Sequence, residues 1–110
     1  MNRSQSMMEQ KMIDNILDNF DFEKCRKTMI HLNWTWGFVP EIPSIERMKD
    51  AAVQRIHSAI DVAKKSKNSH FTYFSSSGGF KASVWKNRYG HIEGINLEFI
   101  LTGWESDGDY

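Results

Sequence analysis

Little in this chain is equipped for covalent chemistry. Cys25 is the only cysteine. Neither a disulfide framework nor a cysteine-rich zinc site can be built from it, and a reducing cytoplasm is the expected setting. The four histidines, His31, His57, His70 and His91, show no i, i+4 pairing and no HxH or HExxH spacing. A metal or general-base cluster would have to be assembled from distant segments. Paired carboxylates fall only in the tail and on solvent-facing helix positions, which argues against two-acid glycosidase chemistry. Charge of one sign is also lacking, since Lys plus Arg and Asp plus Glu are fourteen each. No net field would draw the chain to duplex nucleic acid or an acidic membrane. No apolar run approaches the ~20 residues needed to cross a bilayer. The opening MNRSQSMMEQKMIDN lacks the apolar stretch of a signal peptide. The expectation is a soluble, non-enzymatic protein with no metal, no cofactor and no membrane partner.

What is plentiful is aromatic and methionine surface: seven Phe, four Trp, three Tyr and six Met. A chain of 110 residues is expected to form one domain, 1–110. Folding at this size buries only about two thirds of the exposed surface of the unfolded chain. Part of the aromatic surface is therefore expected either between subunits of a homo-oligomer or against a partner.

Periodicity divides the chain in two. Met8, Met12, Ile13, Ile16, Leu17 and Phe20 recur at helical spacing. Asn19 and Asp21 interrupt, and Asp21 can cap a second piece lined by Phe22, Cys25, Met29 and Leu32. One bent helix and two separate helices both fit. The Met-rich residues 1–20 read as an end able to fray or swap between subunits. HLNWTWGFVPEIPS then reads as an ordered connection pinned by Trp34, Trp36 and Phe38, because Gly37, Pro40 and Pro43 oppose a helix. Ser44 is an N-cap, and Ile45, Met48, Ala52, Ile56, Ala59, Ile60 and Ala63 draw one apolar stripe over 44–65. After KKSKNS the period changes to two. Strands are expected at His70–Phe74, over Phe80–Trp85 and over Ile95–Leu101, with Gly78-Gly79 joining the first pair and Gly90 and Gly94 turning the second. The fold class is α+β, ααβββ: N-terminal helices, then a three-stranded antiparallel sheet, with the 44–65 helix on one sheet face. The other face carries Trp85, Lys81 and Ile100, and needs a cover, most simply a second copy. Residues 105–110 form an acidic tail.

The segment SSSGGFKA, 75–82, is the best candidate for a ligand site. Backbone amides around glycines can cradle an anion, Ser76 and Ser77 add hydroxyl donors, and Lys81 adds a charge. It is not a P-loop, since GxxxxGK[ST] is absent. A plain glycine hairpin explains the same residues. Trp34 and Trp36 could stack a base; the competing reading is that they alternate on two sides of an extended segment, which puts at least one in the core. Arg47 and Arg55, two helical turns apart, suit phosphate. The candidate nucleotide site is thus Trp34, Trp36, Arg47, Arg55, Ser76, Ser77, Gly78, Gly79, Phe80 and Lys81. Lys64, Lys65 and Lys67 form a basic knot that complements the end of the helix.

HLNWTWGFVPEIPSIERMKDAA, followed by GGFKASVW and INLEFILTGW, resembles a loosely defined group of small bacteriophage accessory proteins. The likeness covers roughly Met29 to Trp104. It implies expression in the cytoplasm of a bacterial host and a role against host defences. That role could be sequestering a nucleotide messenger or blocking a defence protein by direct contact.

Overall fold

The computed structural model describes residues 3–36, 42–67, 72–77 and 79–101, and the side chains of 3–6, 33–36 and 77 lie outside that description. The order is α1 (Arg3–Asn19), α2 (Phe22–Trp36), α3 (Ile45–Lys65), β1 (Thr72–Ser77), β2 (Phe80–Lys86) and β3 (Ile92–Phe99). The fold is α+β, three helices followed by a three-stranded antiparallel sheet in the order β1-β2-β3.

The N-terminal helical region is two helices. The break falls at Phe20–Asp21, where the Asp21 carboxylate accepts from the Lys24 amide at 2.9 Å and caps α2. In α3, Ser44 caps through its hydroxyl, which accepts from the Arg47 amide at 3.1 Å. Its stripe of Met48, Ala52, Ile56, Ala59, Ile60 and Ala63 is buried. The three alanines have no side chain beyond Cβ, so the helix axis can approach the sheet closely. α3 packs chiefly on β1 and β2, and α1 lies beside β3. The sheet thus has one covered face, built from Tyr73, Ser75, Phe80, Ala82, Val84, Lys86, Ile92, Ile95, Leu97 and Phe99. At one corner the rings of Phe20, Phe22 and Phe99 each meet Phe80 edge-on, with centroids 5.8, 6.0 and 6.1 Å away. At the opposite end buried Lys86 donates to the carbonyls of Ala63 and Ser66 at 2.8 and 2.9 Å. Its cation thereby sits at the negative end of the α3 dipole.

Three expectations need correction. The WTW segment is helical: α2 runs through Trp36, because the first helix breaker is Gly37 and nothing in HLNWTW forbids continuation. Residues 37–41 lie outside the described residues. Ser75, Ser76 and Ser77 belong to strand β1 rather than to a loop, paired with Ala82, Lys81 and Phe80. Gly94 is a strand residue opposite Trp85, next to a register shift at Trp85/Lys86, and not a turn glycine. The β2–β3 turn itself spans Asn87–His91, with Gly90 at φ 82, a value L-residues rarely adopt. The last strand runs Ile92–Phe99, beginning and ending earlier than the Ile95–Leu101 expected.

Candidate functional site

The pleat decides which of the candidate residues can meet. Side chains alternate across a strand, so the Ser76–Lys81 pair points to one face and Phe80 to the other. Phe80 lies on the covered face with no exposed surface. It is a core residue and cannot wall a ligand beside Lys81, which corrects the expectation. Gly79 has φ 90 and its carbonyl accepts from the Ile100 amide at 2.8 Å. The bend is therefore stitched to the end of β3. Gly78 falls outside the described residues, and so does the side chain of Ser77.

Arg55 donates from Nη1 to the Ser75 hydroxyl at 3.1 Å, so it serves the seam between α3 and β1. Arg47 is exposed in the first turn of α3, two turns or about 12 Å along the helix axis from Arg55. Phe22 touches the Phe80 corner. Trp34 lies twelve residues farther along α2, about 18 Å of helix axis at 1.5 Å per residue. The indoles of Trp34 and Trp36 are not among the described side chains. The structure thus joins Arg55 to the serine strand and Ser76 to Lys81, but splits the described candidates between two faces and the far end of α2.

The open face is a better-defined surface. Register places three rows of three on it: Glu98, Lys81 and Ser76; Asn96, Ser83 and Phe74; Gly94, Trp85 and Thr72. Phe74 is 53% and Trp85 38% exposed, and Tyr89 on the adjoining hairpin is 69% exposed. The Lys81 ammonium stands 4.6 Å from the Phe74 ring centre, and the Arg88 guanidinium 5.2 Å from that of Tyr89. Both are cation–π distances. The six-membered ring of Trp85 occupies the space where a Cβ on residue 94 would project, so glycine there lets the indole lie across β3. Sequence reasoning placed Lys81 and Trp85 on this face but missed Phe74, Tyr89 and the role of Gly94. The signal available was Trp85 opposite a glycine in an alternating strand.

Other features carry less. A shallow hollow of about 190 Å³ lies between the end of α1 and β3, lined by Ile16, Asn19, Phe20, Asn96 and Leu97, and no charged group lines it. Cys25 packs partly against the core, and burial first, then Asp21, pushes its thiol up against the opposing pull of Lys24. That is the reverse of what a nucleophile needs. Among the described residues no group of three or more His, Cys, Asp or Glu is placed to hold a metal ion, and no described helix is long and apolar enough to cross a membrane. No family model, no curated protein and no solved structure matches this chain.

Proposed function

We propose that this protein is a non-catalytic binder that holds a nucleotide-type ligand on its open sheet face. The observation that carries this reading is the gathering of exposed rings. Phe74, Trp85 and Tyr89, the exposed aromatics among the described residues, all lie on the sheet or its hairpin, two of them with a cation at the ring. A nucleobase needs a flat π-surface and its phosphate needs a cation, and this face offers both within neighbouring residues. The site is therefore Phe74, Trp85, Lys81 and Ser76 in place of the Trp34, Trp36 and glycine-bend grouping. The setting is the one the sequence resemblance implies, a phage accessory protein in a bacterial cytoplasm that withholds a nucleotide signal from host defence. Thermal denaturation against mononucleotides, cyclic di- and trinucleotides and ADP-ribose tests it. A ligand should raise the melting temperature, and Trp85→Ala should abolish that rise. If no nucleotide moves the melting temperature of the parent protein, the reading fails.

A second reading has its own support. Among the described residues β1 has a neighbour on one side only, and an edge strand is a template for strand addition by another chain. On this reading the protein blocks a host defence protein, or assembles with its own copies, through Thr72–Ser77. Pull-down of a stoichiometric protein partner that Ser76→Pro releases would favour it, and light scattering would reveal self-assembly.

A further inference from the structure

Resting on the nucleotide reading, we infer that the ligand is a single-stranded nucleic acid, laid along β1 and β2 from Lys81 to the β2–β3 hairpin. The order of groups along the face is what distinguishes a strand from a lone nucleotide. Phe74 pairs with Ser83, so Lys81 and Trp85 are its two diagonal neighbours on β2, each one diagonal step of roughly 7–8 Å away. Beyond Trp85 the chain enters the hairpin that carries Arg88 and Tyr89. Cation, ring, ring, cation and ring follow one another, a repeat suited to successive splayed bases and the phosphates between them. A mononucleotide could use only one ring and one cation of that series.

Charge sets the side on which the strand runs. Glu98, the carboxylate that register places on this surface, stands on β3 opposite Lys81. Phosphates are thereby confined to the β1–β2 half, where Lys81 and Arg88 lie. A duplex cannot use the series, since its bases stack on one another and not on protein rings. With so few cations, stacking must supply most of the affinity.

Fluorescence anisotropy of a labelled oligothymidylate of about ten residues, with the matching duplex and thymidine 5′-monophosphate as competitors, tests this on the full chain. Binding is expected, with little competition from the duplex. Phe74→Ala and Trp85→Ala should each weaken it at least about 5-fold. Two cations, Lys81 and Arg88, at about −0.7 each limit the slope of log affinity against log salt to no steeper than about −1.5. Tyr89→Ala, in the exposed hairpin, repeats the test where a substitution leaves the core untouched, and circular dichroism verifies each fold. If thymidine monophosphate or the cyclic nucleotides bind but the oligonucleotide does not, this inference fails while the nucleotide reading stands. If nothing binds, both fail. Oligonucleotide binding that is indifferent to all three ring deletions, or matched by the duplex, overturns the strand geometry.

Discussion

Gly94→Ala is the sharpest probe of the open face, because two physical effects oppose each other there. Gly94 has no positive φ and sits within β3, a conformation any residue adopts. With empty space above it, alanine would stabilise the strand by about 0.4–1 kcal/mol, through the smaller entropy of the unfolded chain. The space is not empty. A Cβ at 94 would stand 2.8 Å from Cη2 of Trp85 and nearer still to Cζ2 and Cε2. These are ring atoms of a rigid side chain, so the indole must swing off the strand. Displacements of this kind cost about 1–3 kcal/mol. Overpacking therefore wins, and Gly94→Ala should destabilise the protein by about 1 kcal/mol net. Urea denaturation followed by far-ultraviolet circular dichroism measures it. The decisive comparison is the same substitution in a Trp85→Ala background, where the obstacle is gone and Gly94→Ala should become neutral or stabilising. A parent-background Gly94→Ala that is as stable as the unmodified protein would refute the indole's position over β3. The platform argued for ligand stacking would fall with it.

Two further outcomes follow from the covered side. Lys86→Met keeps most of the buried stem but removes the ammonium that donates to Ala63 and Ser66. The carbonyls at the end of α3 lose a charged donor, so stability should fall by about 2 kcal/mol in urea titration. An unchanged midpoint would mean that water replaces the ammonium without loss. Burial pushes the Cys25 thiol up, helped by Asp21, so the folded state favours the protonated form. Its contribution is fully present below about pH 8.5, the unfolded value, and is lost as pH rises through the higher folded value. Stability measured from neutral to alkaline pH should fall less steeply in Cys25→Ala than in the parent, and parallel curves would contradict the assignment.

The elements that could be read from sequence are those in which local and tertiary signals agree. Ser44, the apolar stripe and the basic last turn all specify α3, and burial of Met48 through Ala63 follows from the stripe. The antiparallel sheet follows from a period of two on both sides of Gly78-Gly79. Signals failed where a residue type was given one meaning and had two. The serines of 75–77 suggest a loop by composition, yet serine is tolerated in an edge strand whose hydroxyls can find a partner, as Ser75 finds Arg55. Tryptophans beside Gly37 and two prolines suggest an irregular connection, but the reach of Pro40 extends back only four residues, to Trp36, so HLNWTW is free to stay helical up to that point.

The site was harder to read for a geometric reason. A ligand site needs side chains on one face, and in a strand a shift of one residue changes the face. GGFKA offers Phe80 and Lys81 as neighbours in sequence, and the pleat makes them opposites: Phe80 in the core, Lys81 over Phe74 on the open side. The partners of Lys81 come instead from strands seven and seventeen residues away, Phe74 and Glu98, and those pairings require the register of both hairpins. Register in turn depends on the tight bend at Gly79 and on the shift at Trp85/Lys86. The grouping of rings and cations on this face is thus a property of how three strands align, and a single glycine at 94 decides whether its largest ring can lie there.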